Sequence, residues 1–228
     1  AIPIIIGELA QMALHLIDAA MVGAISYKQL AASALVINSM NIPFVLGIGM
    51  TISVSQMVSL AHGRNDRQKV SHYLYNGFIL CAGTALLIAG LLIYGAPLLR
   101  NMKQDPEVVE LAIPFLRLMG LSIVPMLLFM TLKQFADGLQ YTKTAMILSL
   151  GALPLNILLN WLLIYGHWGF PRLELLGAGW ATLITRSLSF ILLLLVILRH
   201  PTFRPYIAVS ASQWKLKMQT FHELLHIG

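Results

Sequence analysis

Six long apolar blocks, each separated from the next by a short polar interval, constrain this chain more than any other feature. They cover about residues 1–24, 35–61, 74–99, 108–133, 145–166 and 177–199. Each has the ~20 residues or more that a helix needs to cross a hydrocarbon core. Charge is largely excluded from the blocks and confined to the intervals. Composition agrees, with 58% of residues hydrophobic and 11% charged and a mean hydropathy of +0.79. Those values exclude an ordinary water-soluble domain. The sequence predicts an all-α integral membrane protein, a six-transmembrane-helix bundle.

The distribution of Lys and Arg predicts its orientation. Intervals after blocks two, four and six, with the tail, hold Arg64, Arg67, Lys69, Lys133, Lys143, Arg199, Arg204, Lys215 and Lys217. Those after blocks one, three and five hold only Lys28, Arg100, Lys103 and Arg172. Excess Lys and Arg mark the cytoplasmic side, so both ends of this multi-pass chain are expected to be cytoplasmic, in the cell membrane. Tyr165, Trp168 and Trp180 then flank the outer interface. The net charge of +6 is thereby topological and calls for no nucleic acid. The single cysteine, Cys81, reads as a packing residue. No cleavable signal peptide is visible, and a start without Met leads us to expect a fragment. Residues 1–205 read as one transmembrane lobe. Residues 206–228 read as a cytoplasmic amphipathic linker, an interfacial helix with Trp214, Met218, Phe221 and Leu225 on one face.

The first block is unusual among the six. It carries Glu8, Gln11, His15 and Asp18, which at 100° per residue fall within roughly an 80° arc. A charged residue at the centre of a membrane helix costs about 2.5–3.5 kcal/mol on insertion scales and usually faces a bundle interior or a watery cavity. The other blocks are expected to form walls around this stripe. At about 1.5 Å per residue, Asp18 lies ~9 Å from the outer end of its span. Asn160 falls at nearly the same depth, Asn156 one turn deeper, and Thr182 and Arg186 also lie in the outer half. Interhelical hydrogen bonding explains such a layer; so does a cation or proton site. A carboxylate with amide and hydroxyl oxygens suits a hard cation, and burial disfavours the charged form of a carboxyl, which couples protonation to conformation. Pro154 frees a carbonyl one turn back, a further candidate ligand. Pro3 and Gly7 make the first helix bendable.

Pro3, Gln11, Asp18, Val22-Gly23 and Leu30-Ala31-Ala32 together resemble the opening of the multidrug and toxic compound extrusion (MATE) family. Gly47-Ile48-Gly49, Ser55-Gln56 and Ala61-His62-Gly63-Arg64-Asn65-Asp66 are similar to its second helix. Gly138-Leu139-Gln140-Tyr141-Thr142-Lys143 with Ala145-Met146 matches its loop between helices four and five. Pro154-x-Asn156-x3-Asn160 and Leu176-Gly177-Ala178-Gly179-Trp180-Ala181-Thr182 complete the likeness. The resemblance implies one lobe of a two-lobe twelve-helix transporter, here the N-terminal one, partnered by a C-terminal lobe. It implies that Asp18, Asn156, Asn160 and Thr182 form the cation site, for H+ or Na+, and that Pro3 is the bending proline. Asn160 stands where some relatives have Asp, so this layer carries one fewer negative charge.

By that resemblance the expected activity is cation-coupled antiport by alternating access, exporting amphipathic or cationic drugs and toxic compounds, with membrane lipid as the surrounding partner. A lipid-linked saccharide flippase of the same superfamily is the alternative, and would be expected to show more basic residues in its cavity. A membrane-embedded enzyme using His15 finds no supporting GxSxG or HExxH pattern. Glu8, Gln11, His15 and Arg186 are candidates for proton relay or substrate contact. The alternative for Arg186 is to pair with Asp18 or to reach the outer interface, and Arg117 is expected to pack or snorkel, with a cavity role as its alternative. No cofactor is expected, and among coupling ions the sequence favours H+ over Na+.

Overall fold

The computed structural model describes residues 2–208 and 218–227. Among them lie α1 (Ile2–Gly23), α2 (Tyr27–Gly63), α3 (Arg67–Gly95) continued by a 3-10 segment (Ala96–Met102), and α4 (Pro106–Gly138). Then follow α5 (Lys143–Tyr165), α6 (Leu175–Arg199), α7 (Arg204–Ala208) and α8 (Met218–Ile227), with no strand among the described residues. Six of these segments are long and apolar enough to cross a membrane, as the blocks predict.

Several helices begin earlier than the apolar blocks do, because polar caps start them outside the hydrocarbon. Ser26 accepts from the Gln29 amide at 3.2 Å and starts α2 at Tyr27 rather than near residue 35. Asp66 accepts from Lys69 N at 3.1 Å and starts α3 at Arg67 rather than near 74. Asp105 accepts from Glu107 N at 2.9 Å, with Pro106 at the first position of α4, where its missing N–H removes no bond. The turns that return the chain are alike. Asn65 (φ 55°) and Gln140 (φ 64°) take left-handed backbone, and beyond them Asp66 N reaches Ala61 O at 3.0 Å and Tyr141 N reaches Ala136 O at 2.8 Å. That is the bonding that closes a helix end without water.

The organising helix is α4, which packs against α2, α3 and α6. Its buried residues come from all round its circumference, from Val108 to Gly138. The other helices do wall the stripe of α1, since α2, α4 and α6 line the cavities it faces, but they do not bury the helix itself. Among the residues of α1, Gly7, Ala10, Leu14 and Val22 are buried, chiefly against α5. A stripe of charge needs a wet cavity, so it belongs at the edge of the core and not at its axis.

At the end holding Gly23, the bundle is laced together by polar groups. Gln29 of α2 donates to Glu174 and accepts from the Leu175 amide at 3.1 Å. Lys28 pairs with Glu107 of α4, and the Tyr165 hydroxyl donates to Met21 O at 2.9 Å. Trp168 and Trp180 are exposed. At the opposite end, Phe203 packs on Phe135 and Tyr141, and Ser71 of α3 donates to the Tyr206 carbonyl of α7. Here α8 differs from the expected interfacial helix. It buries Thr220 and Leu224 while Leu225 is exposed, and Glu223 accepts from the Tyr73 hydroxyl at 2.9 Å. The buried face is thus one residue away from the expected one and packs on α2 and α3. Trp214, Lys215 and Lys217 lie outside the described residues, as do the side chains of Met218 and Phe221.

Candidate functional site

Helices α1, α5 and α6 bring Asp18, Asn156, Asn160 and Thr182 into one hydrogen-bonded group. Asn160 Nδ2 donates to Asp18 Oδ1 at 2.6 Å and to Asn156 Oδ1 at 3.1 Å. Thr182 Oγ1 donates to Asp18 Oδ2 at 3.1 Å. Asn156 and Asn160, one turn apart on α5, are fully buried, and Thr182 is nearly so. Both carboxylate oxygens are held by neutral donors, so the layer can stabilise an ionised Asp18 without a bound cation. Asn160 Oδ1 and Asn156 Nδ2 are buried without a partner. Turning the Asn160 amide over would aim its oxygen at the carboxylate, beside the Thr182 hydroxyl, as ligands for a small cation or a shared proton. The depth arithmetic places these residues correctly because α1, α5 and α6 run through this level as unbroken helices.

Asp18 opens onto a cavity of about 410 Å³ between α1, α2, α4 and α6. Its walls are mainly apolar, with Met12, Met40, Phe44, Phe115 and Met119, and its ionisable lining groups are Asp18, His15 and Arg186. A second cavity of about 200 Å³ lies towards the start of α1 and holds Glu8, Gln11, His15 and Thr185. His15 and Arg186 line both. The stripe of α1 therefore faces cavities, as its cost in lipid requires. Flexible Met side chains with aromatics suit ligands of varied shape.

Arg186 lines both cavities, where a relay or substrate-contact group has to stand, and it faces the charge of Asp18 without bonding to it directly. Its Nη1 donates at 2.7 Å to Ser122 Oγ of α4, and that hydroxyl in turn donates to Met119 O at 2.7 Å. The guanidinium thus lines the cavity tied to the central helix, with no direct bond to Asp18. Arg117 is exposed on α4. Pro154 is also corrected: it is exposed while Asn156 is buried. The carbonyl that Pro154 frees is that of Leu150, which is itself exposed and lies six residues, about 9 Å of helix rise, before Asn156. Pro3 lies on α1.

A group that sequence reasoning missed sits at the other end of the stripe. Lys133, counted as an interval residue, is buried on α4. Its Nζ donates to Glu8 Oε1 of α1 at 2.8 Å and to Asp137 Oδ2 at 3.3 Å. Glu8 is half-exposed to the second cavity and Asp137 is buried. Two carboxylates against one ammonium leave this corner acidic when all three are charged. The available signal was Lys133-x3-Asp137 itself, an i,i+4 pair of opposite charge at the end of an apolar helix.

With this geometry in view, the comparisons are specific. The model of the family described as MatE matches residues 3–162. Over 229 residues the chain is 33% identical to the "Probable multidrug resistance protein NorM" of Geobacillus kaustophilus, an alignment covering 100% of this chain and 50% of that protein. It is also 33% identical to the protein of the same name from Rhizobium meliloti, covering 100% of this chain and 48% of that one. A solved structure, "Outward-facing conformation of a multidrug resistance MATE family transporter of the MOP superfamily", superposes with a TM-score of 0.85 at 21% identity, over 98% of this chain and 49% of its own. The chain spans about half the length of the curated relatives it matches.

Proposed function

The chain belongs to the MatE family, and on that premise we propose that it forms the N-terminal lobe of a cation-coupled antiporter that exports amphipathic, often cationic compounds by alternating access. The observation that carries this reading is the Asp18 carboxylate, held by Asn160 and Thr182 on two other helices and open to a cavity walled by Met and Phe. A cation or proton that binds there changes what α1 is bonded to, and a change in α1 changes the cavity it lines. Asp18, Asn156, Asn160 and Thr182 form the coupling site, and Glu8, Gln11 and His15 line the path by which protons or cationic substrate approach it. The names of the relatives support multidrug transport over hydrolysis. The two cavities contain Glu8 and Asp18 against Arg186, a balance that favours cationic cargo over the anionic headgroup of a lipid-linked saccharide.

Protons are the proposed coupling ion, because one carboxylate suffices for a proton while sodium depends on the summed field of several oxygens. In vesicles holding the full-length protein, an imposed pH gradient is expected to drive substrate movement at equal sodium, and a sodium gradient at equal pH is not. Transport driven by sodium alone defeats the choice of ion, and no response to either gradient defeats coupling itself.

The same reading places the Gly63 end of the lobe in the cytoplasm. Moving Lys133 out of the loops leaves eight basic residues at that end, including Lys215 and Lys217 of the tail, against four at the other, so the asymmetry persists. In a full-length background without other reactive thiols, Gln68→Cys, on the exposed first turn of α3, is expected to resist a membrane-impermeant maleimide in intact cells and to react once they are opened. Labelling in intact cells reverses the orientation. The native Cys81 is buried and does not compete.

A further inference from the structure

We infer that Arg186 is the residue that makes this lobe blind to sodium: a cation tethered inside the cavity, it keeps sodium from the Asp18 layer and leaves the site to protons. The inference rests on the proton-coupling reading above and assigns its selectivity to one side chain.

Three observations carry it. Arg186 lines the same cavity as Asp18 and lies one helical turn beyond Thr182, which is itself bonded to the carboxylate. Ser122 is buried on the central helix and holds one nitrogen of the guanidinium at 2.7 Å. That bond occupies one of five donors and ties the charge to the central helix at the cavity wall. Finally, no second carboxylate lines the Asp18 cavity: its other ionisable lining is His15 on α1, while α2 and α4 contribute only neutral side chains, and Glu8, in the second cavity that Arg186 also lines, is paired with Lys133.

A proton and a sodium ion each bring one positive charge, so the guanidinium opposes both equally. They differ in what they hold in reserve. A proton forms a covalent bond to a single carboxylate oxygen. Sodium forms none and relies on the summed field of the layer's side-chain oxygens, among which Asp18 alone supplies a formal charge. An equal penalty therefore removes sodium first. It also gives the ionised Asp18 a counter-charge within the protein, so that no external cation is needed between proton release and proton uptake.

The test uses the full-length protein in vesicles, with a cationic dye as cargo and sodium as the probe. Arg186→Gln and Arg186→Met remove the charge, and Arg186→Lys retains it. Sodium-gradient-driven dye movement at fixed pH is expected to rise at least about tenfold in the two neutral variants, the scale of a ~1.4 kcal/mol change in ion affinity, and to stay at background in wild type and Arg186→Lys. Sodium-dependent thermal stabilisation, absent with potassium, gives a second readout that needs no transport and is expected to follow the same pattern. Folded neutral variants that stay blind to sodium while wild type responds to pH defeat this inference alone. So does Arg186→Lys gaining as much as Arg186→Gln. Sodium-driven transport or sodium-specific stabilisation in wild type defeats it together with the proton reading. A merely structural arginine predicts loss of folding in all three variants and gain of sodium response in none.

Discussion

Full-length protein carrying Gly177→Ala is expected to lose more than about 3 kcal/mol of stability, or to fail to accumulate as folded protein. A Cβ at Gly177 would sit 2.4 Å from the Leu163 carbonyl oxygen, 2.5 Å from its carbon and 2.7 Å from the Ile164 nitrogen. Most overpacking costs about 1–3 kcal/mol because side chains can shift. Here every obstacle is backbone. That backbone is also fixed by the Leu173 N to Leu163 O and Glu174 N to Ile164 O bonds, at 2.9 and 3.2 Å, which seat the start of α6 on the end of α5. The only relief is to part the two helices, and those helices carry Asn160 and Thr182. A thermal-unfolding curve or a size-exclusion profile checks the prediction, and a melting temperature unchanged from wild type would contradict the packing described. Close approach through small residues is the ordinary way membrane helices meet; at Gly177 even the smallest side chain is too large.

Asp18→Asn is the second large effect, and it is functional. The amide keeps the shape of the carboxyl, its oxygen can still accept from Asn160, and its nitrogen can donate to the Thr182 hydroxyl in place of receiving from it. The lobe is therefore expected to fold and to bind cargo. What is lost is the only formal negative charge in the layer. Gradient-driven transport is expected to fall about a hundredfold, within the range that coupling energies of ~1–3 kcal/mol span. Counterflow, which exchanges labelled for unlabelled cargo with no gradient, is expected to persist. Loss of both would indicate a misfolded variant, and survival of both would move the coupling charge elsewhere, with Glu8 at the other end of the stripe the next candidate.

The layer itself was legible in the sequence because an unbroken helix turns residue number into depth. Asp18, Asn160 and Thr182 lie at one level by the rise per residue alone, and they are bonded there. What depth cannot supply is the rotation of one helix about another. The Lys133–Glu8 and Arg186–Ser122 bonds depend on which face of α4 meets α1 and α6. That was not to be had from a helix whose hydrophobic residues lie all round it. For the same reason nothing in the first block's stripe revealed that α4 is the hub. On α8 the error was a single residue: Leu224 is buried and Leu225 exposed, and a short helix with apolar residues at both positions offers no pattern by which to choose. Caps were the other hidden signal. Ser26 and Asp66 extend helices beyond the apolar blocks that announce them.

The central claim is that Asp18 exchanges its proton against cargo. Adding an amphipathic cationic dye to the purified full-length protein in weakly buffered solution, while following pH, tests it most directly. Wild type is expected to release protons in proportion to dye bound. Asp18→Asn is expected to bind dye with no proton release. Equal release from the two proteins, at equal dye binding, would contradict the account.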